Sequence, residues 1–352
     1  MRADEQDRTV PARQKGDLES ALRRKVFAAY GGGRGAKNLP GLCLHLLTEQ
    51  KKTWPNLREG YQSLKDVRER KLSCNSFSIR LQFNPGRIKS STADAGEKDA
   101  SGRRCFLCPD HLPESQKGIL HRKEFLILCN PMPVFASHFT VSHGDHCIQA
   151  VDEHIGPFLQ LTADFGPGWT VLYNGPKCGA SAPDHLHFQV VPSGQMPIEN
   201  EILEKRTRFL IRQGDGVSLY RTIGLGREVV LLQGNDPGAL RGAFKRYLNA
   251  LKNVLLLDEE PMINMAGLYE ERTWRLMIFP RRKHRPDAFF RSGDARVVVS
   301  PGVIDMGGVL IAPLERDFQR LDAAAVEGIY REVSLEKEAA EEAIEVFSQE
   351  GF

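Results

Sequence analysis

Asn174-Gly175-Pro176-Lys177-Cys178-Gly179-Ala180-Ser181-Ala182-Pro183-Asp184-His185-Leu186-His187-Phe188-Gln189-Val190-Val191-Pro192 is the stretch on which the reading of the whole chain turns. Its C-terminal part, His187–Val191, reads as a strand. On an extended strand successive side chains point to opposite faces. His185, His187 and Gln189 therefore share one face, while Leu186, Phe188 and Val190 share the other. One face carries polar chemistry and the other anchors it in a core.

Immediately upstream, Gly179-Ala180-Ser181-Ala182 is a run of small residues. Small residues let the backbone approach a ligand, and consecutive N–H groups form an anion-binding concavity. Lys177 adds a positive charge, Ser181 adds a hydroxyl, and Asn174 opens the loop. A phosphate held there would lie against the histidine row. A neutral imidazole, with an ordinary pKa of about 6.5, is a competent nucleophile at neutral pH. Attack on an α-phosphorus gives a phosphoramidate and splits one hard transfer into two easier ones. A backbone carbonyl on the far nitrogen of His187 would select its tautomer.

Working outward, the neighbouring segments supply helices and strands. Residues 1–36 are expected to be a flexible N-terminal segment with one short helix at 18–30. Residues 40–68 have helical character, with Leu42, Leu46 and Leu47 on one face. Ser76–Phe83 alternates as a half-buried strand, the turn Asn84-Pro85-Gly86 ends it, and 89–103 reads as a polar surface loop. Strands are expected at 125–129, 139–142 and 170–173, with a helix at 151–163 in which Pro157 is a weak point. In the second half, Asp236-Pro237-Gly238 opens a helix reaching 257, with Pro237 in the first turn. Strands are expected at 273–279 and 296–300, and one charged amphipathic helix over 323–347 turns Val326, Ile329, Tyr330, Val333 and Leu335 inward. The pattern is α+β, divided into the N-terminal segment, a catalytic domain at 37–200 and a second domain at 201–352.

The 352 residues carry ordinary globular composition, 41% hydrophobic and 26% charged. A net charge of +3 is too small for a nucleic-acid footprint, so no nucleic-acid partner is expected. The seven cysteines form no dense, even framework of the secreted kind. The charged N-terminus lacks an apolar signal segment, and no apolar run approaches membrane-span length. The expectation is a cytoplasmic protein with no membrane partner and no organic cofactor.

Cys105-Phe106-Leu107-Cys108 supplies half of a tetrahedral zinc site, which needs two further ligands. His143 and His146 lie downstream, and His185 is another candidate. The competing reading is a redox-active or merely buried cysteine pair, though the βαβ surroundings of a thioredoxin-like motif are not found. Cys129, Cys147 and Cys178 read as small core or loop residues. Asn84 and Arg87 follow a strand end, where such side chains can grip ribose or phosphate. Asn130-Pro131-Met132-Pro133 sets a rigid turn and is a candidate lining for a base pocket.

The pattern Gly179-Ala180-Ser181, Pro183, His185, His187, Gln189, closed by apolar residues and Pro192, resembles the histidine-triad (HIT-like) superfamily in its transferase branch. That branch includes the galactose-1-phosphate uridylyltransferases, the diadenosine tetraphosphate phosphorylases and the GDP-hexose phosphorylases. The resemblance is specific over about 75–200 and diffuse beyond, and Asp184 is inserted relative to the uridylyltransferase pattern. It implies an antiparallel sheet with helices, in two HIT-like halves within one chain that work as a monomer or homodimer. It implies His187 as nucleophile, Gln189 as support for the bound phosphate, and His185 and Ser181 as their catalytic companions. Hydrolase members carry a third histidine where this chain has Gln189, so transfer or phosphorolysis is implied. Zinc on Cys105, Cys108, His146 and His185 is implied as well. Within the basic cluster Phe279–Arg285, the resemblance singles out Arg281 as a substrate contact. Substrate contacts are thus expected from Asn84, Arg87, Asn174, Lys177, Gly179, Ala180 and Arg281. The substrate would be a nucleoside diphosphate sugar or dinucleoside polyphosphate, with phosphate or a sugar phosphate as acceptor. Two other classes compete: a metal-dependent hydrolase using His185 and His187 as ligands, and a non-catalytic nucleotide-binding protein.

Overall fold

A computed structural model describes residues 22, 24–33, 38–92 and 104–349. The expected loop at 89–103 and the start of the chain lie largely outside these residues. The strands in chain order are β1 (Val26–Tyr30), β2 (Arg68–Ser73), β3 (Ser78–Phe83), β4 (Gly118–His121), β5 (Phe125–Cys129), β6 (Phe139–His143) and β7 (Trp169–Asn174). They continue as β8 (His187–Pro192), β9 (Arg208–Gly214), β10 (Val217–Thr222), β11 (Val230–Gly234), β12 (Ile263–Glu270), β13 (Thr273–Pro280) and β14 (Val309–Ala312). The longer helices are α1 (Leu39–Thr53), α2 (Pro55–Gln62), α3 (Ile155–Phe165), α4 (Pro237–Leu255), α5 (Ala323–Val333) and α6 (Lys337–Gln349).

Eleven strands form one sheet in the order β1-β4-β5-β6-β8-β7-β12-β13-β11-β10-β9. Every pair in it is antiparallel except β1 with β4. Strands from the first half of the chain lie on one side of the β7–β12 pair, and strands from the second half on the other. The architecture is α+β with a large, mainly antiparallel sheet. Among the described residues no helix is long and apolar enough to cross a membrane.

Alternation along the strands divides the interior into two layers. On one face Phe125, Val141, Val171, Tyr173, Phe188, Val190, Met265 and Ile278 pack with α1, α3, α4 and α6. Leu172, Val191, Ala266, Met277 and Phe279 turn the other way. They meet a second, three-stranded sheet, β14-β3-β2, and α5. Phe188 is fully buried among Phe125, Phe158 and Tyr173. Burial of a side chain of that size is worth about 2–3 kcal/mol, which fixes the orientation of its strand neighbours.

The local chemistry explains the element ends. Asp236 caps α4 by accepting the Ala239 N–H at 2.7 Å, with Pro237 in the first turn. Residues 40–66 have the expected helical character, divided into two helices and a short 3-10 turn because Pro55 cannot continue α1 and α2 restarts there. The residues beyond Asp66 enter β2 instead.

Three expectations fail. Residues 26–30, expected as helix within a mobile start, form the edge strand β1 beside β4. The expected strand at 296–300 has no ladder; its Val297 N–H goes to the Ala288 carbonyl and its Val298 N–H to the Asp317 carboxylate. The C-terminal helix breaks between α5 and α6. There Ser334 bridges to Arg281, and the Leu335 N–H reaches the Pro280 carbonyl.

Candidate active site

The face of β8 that carries polar residues looks toward the second layer, where a cavity of about 380 Å³ opens. Its floor is His187, Gln189, Thr140 and Asn174, and one flank is the loop Gly179–Ser181. The loop depends on Gly179, whose φ of +110° disfavours any side chain and whose Cβ would come within 3.0 Å of Gly302 Cα. The Cys178 and Ala180 N–H groups fold back on the Gly175 carbonyl at 3.0 and 3.4 Å. Those of Gly179 and Ser181 have no protein acceptor among the described residues.

His187 is buried, and both of its sides are determined. Its backbone N–H donates to Gln149 Oε1 at 2.7 Å, and the Gln149 amide returns a bond to its carbonyl at 3.0 Å. Its Nδ1 lies 2.8 Å from the His185 carbonyl, which can only accept. Nδ1 therefore carries the hydrogen, and Nε2 keeps a free lone pair on a ring that lines the cavity. Burial lowers the His187 pKa to about 4, so the ring is neutral at physiological pH.

Gln189 is oriented by His138, a residue whose role is invisible in the sequence. The Val134 N–H donates to His138 Nδ1 at 3.2 Å, so the ring hydrogen sits on Nε2. That Nε2 donates to Gln189 Oε1 at 2.7 Å. With its oxygen engaged, Gln189 presents its NH₂ toward the cavity, as a phosphate oxygen requires.

Burial first, and then the nearby Arg87, lowers the His138 pKa to about 3. Burial, then Arg285 and Arg281, does the same for His284, to about 3. Asp305, on the cavity wall, has its pKa raised by burial to about 6.

These four groups predict a pH dependence of stability. The three histidines have folded pKa values below about 6.5, so they take up protons on unfolding as pH falls from about 6.5 toward 4. Stability is lost in that direction. Asp305 acts oppositely between about 4 and 6, because the folded form holds its proton longer. The net is about two protons, or about 3 kcal/mol per pH unit near pH 5 from these groups. Urea melts at pH 5.0 and 6.0 should differ accordingly, and His284→Gln should flatten the slope by about one proton. An unchanged slope in that variant would show that His284 is not held neutral.

Beside the cavity, Cys105, Cys108, His146 and His185 bring one donor atom each within 4.8 Å of one another. Cys105 Sγ lies 3.2 Å from His185 Nδ1, and Cys108 Sγ lies 3.3 Å from His146 Nδ1 and 3.6 Å from His185 Nδ1. His185 Nε2 contacts the His143 carbonyl at 2.9 Å and so carries the hydrogen, leaving Nδ1 as a ligand atom. Hydrogen bonding from the Cys108 sulfur, with help from His185, pushes the Cys105 thiol down to about 3. Two cysteine sulfurs and two imidazoles turned toward one another suit a tetrahedral divalent ion, which would take both sulfurs as thiolates. Between the cysteines, Phe106 and Leu107 line the cavity, so the same loop shapes both sites.

The remaining expected contacts divide. Arg87 lines the cavity, donates to the Met132 carbonyl at 2.8 Å and leaves its buried Nε without a partner among the described residues. Asn174, Gly179, Ala180 and Ser181 also line it, although Asn174 Oδ1 is already taken by the Asn264 amide at 2.8 Å and the Val303 N–H at 2.7 Å. Three expectations are corrected. Lys177 points away and pairs with Glu259 at the surface, because the loop turns after Pro176. Asn84 is buried against Gln82 at 3.2 Å, outside the cavity. Arg281 is buried with all five of its N–H groups engaged, by Val333, Asn264, Pro301, Lys283 and His284, and has none left for a ligand. Its neighbours His284 and Arg285 line the cavity instead, with Ser300 and Gly302. Arg285 donates to Ser300 Oγ at 2.9 Å and lies over the Phe289 ring. Trp54, Leu128, Pro131 and Met132 supply apolar lining, and Asn56, Gln116 and Asn130 supply neutral polar groups.

Residues 46–192 match the model of a family described as a domain of unknown function, DUF4922, which takes in both the cysteine pair and the histidine strand. No curated protein matches the sequence. Among solved structures, the chain is similar to yeast Ap4A phosphorylase Apa2, with a TM-score of 0.50, 13% identity and coverage of 80% of this chain and 94% of that one. The same yeast enzyme in complex with Ap4A gives a TM-score of 0.50 at 13% identity, covering 82% and 97% of the two chains. By this likeness the chain shares the fold of the yeast Ap4A phosphorylase.

Proposed function

We propose that this protein is a nucleotidyl transferase that cleaves a dinucleoside polyphosphate or a nucleoside diphosphate sugar by phosphorolysis, through a nucleotidyl group carried on His187. The observation that carries the reading is the tautomer of His187: Nδ1–H is tied to the His185 carbonyl and Nε2 is open to the cavity. The yeast enzyme that shares the fold was crystallised with Ap4A, which favours that substrate class.

In the first step the Nε2 lone pair attacks the α-phosphorus, and the bond from that phosphorus to the bridging oxygen breaks. The leaving phosphate departs as an anion and needs no proton. The imidazolium formed keeps its Nδ1–H on the His185 carbonyl, which stabilises the new positive charge. The Gln189 NH₂ and the Gly179 and Ser181 amides would hold the phosphate oxygens as charge builds on them. In the second step an oxygen of inorganic phosphate attacks the same phosphorus. The P–N bond breaks and the neutral ring is restored. The apolar lining from Trp54, Leu128, Pro131 and Met132 would take a base, and Arg87 with Arg285 would flank the polyphosphate path. Zinc is the ion that suits Cys105, Cys108, His146 and His185. When bound it would hold the His185 ring and supply rigidity rather than bond making.

We place the chemistry in 37–200 and read 201–352 as a second HIT-like half that supplies the far wall. The arrangement of strands about the β7–β12 pair supports this reading. The metal-hydrolase alternative is disfavoured because His185 turns its Nδ1 to the two cysteines while His187 lies outside that group. The test is a panel of dinucleoside polyphosphates and nucleoside diphosphate sugars with and without phosphate. Nucleoside diphosphate is expected only when phosphate is present. Water-driven release at the same rate would overturn phosphorolysis.

A further inference from the structure

A second group of soft donors gathers on the loop that follows β6. His143, Cys147 and His154, all half-buried, bring one ligand atom each within 4.8 Å of one another. The first donor group takes His146 from this loop, while His143 and Cys147 belong to the second. The imidazoles are already directed. His154 Nδ1 donates to the Ala150 carbonyl at 3.0 Å, which leaves Nε2 as a lone pair. His143 Nδ1 lies 3.0 Å from the Asp145 carbonyl and equally near the Asp145 N–H. A cation on Nε2 selects the form whose Nδ1–H goes to the carbonyl. That Nε2 lies 3.6 Å from a Glu124 carboxylate oxygen, which brings a fourth donor within reach.

We propose that His143, Cys147 and His154, completed by Glu124, bind a thiophilic divalent cation of the zinc class, separate from the Cys105–Cys108 group. One thiolate, two imidazoles and a carboxylate form a set that such an ion accepts in four-coordination. Cys147 releases its thiol proton to solvent as the metal–sulfur bond forms.

The consequence falls on the nucleophile strand. The His143 N–H donates to the Leu186 carbonyl at 3.0 Å, and the Leu186 N–H donates to the Cys147 carbonyl at 2.7 Å. Two of the ligand residues thus hold both backbone groups of the residue between His185 and His187. Bound metal braces that residue from behind and ties it to the start of α3 through His154, which immediately precedes the helix.

Zinc content after dialysis against a buffered Zn²⁺ solution tests this. His154→Ala should hold one equivalent per chain fewer than the wild-type protein, whatever the occupancy of the Cys105–Cys108 group. Equal content would overturn the proposal. Alkylation of the wild-type chain gives a second measure that needs no variant. Added Zn²⁺ should slow labelling of Cys147 at least tenfold while leaving Cys74, also half-buried, unaffected. Labelling of Cys147 at the same rate with and without Zn²⁺ would equally overturn it.

Discussion

His187→Asn is expected to lower turnover by roughly a hundred-thousand-fold, the scale seen when a covalent nucleophile is removed. Asparagine can still fill the site and donate to the His185 carbonyl, so the strand should keep its register. Its amide nitrogen lone pair is delocalised into the carbonyl and cannot attack phosphorus. Zinc content and melting temperature should therefore stay near wild type while catalysis disappears. Incubating the wild-type protein with labelled substrate and no acceptor should leave an acid-labile, base-stable nucleotidyl adduct that the variant lacks. A variant that retains a tenth of wild-type turnover would remove His187 from the nucleophile's role.

The second large effect is expected at Cys108→Ser. Cys108 faces both His146 and His185, so its loss opens the donor group at its centre. The hydroxyl is a poor ligand beside a thiolate, and one equivalent of zinc should be lost. A cost of about 3 kcal/mol would lower Tm by roughly 4 °C in a chain of 352 residues. Turnover should fall about ten- to a hundredfold as well, the scale for disturbing the shell around a metal. The link is physical: Phe106 and Leu107 sit between the cysteines and wall the cavity, and His185 is two residues from His187. Unchanged zinc content and Tm would mean that the four donors hold no metal.

How much of this was legible beforehand depends on the kind of information each feature uses. The faces of β8 could be read because alternation is a property of the extended backbone. The turn at Gly179 could be read because so few residues tolerate that conformation. Direction could not be read from residue type. Lys177, Asn84 and Arg281 looked like ligand contacts, yet one pairs with Glu259, one packs against Gln82 and one is saturated by five acceptors. His138 gave no signal, since its task is set by Gln189, 51 positions away. Val297-Val298-Val299 has the composition of a strand and no neighbour to pair with, because its backbone is claimed by Ala288 and Asp317. β9 to β12 escaped detection for the opposite reason. Arg208–Gly214 carries exposed Phe209, Leu210 and Ile211 in a row rather than alternating, and pairing with β10 defines it.

The cavity is closed by residues that leave the ribosome late. Val303 reaches back to Asn174, and β14 lies parallel to β3, so the far wall is added only after the segment through Ala312 has emerged. A nascent chain released through about residue 200 already carries His187 and one side of the cavity, but not the wall made by His284, Arg285, Ser300 and Val303. During synthesis, the reactive ring therefore exists before there is a closed compartment for nucleotide, and enclosure of the ligand must await the segment from His284 to Ile311.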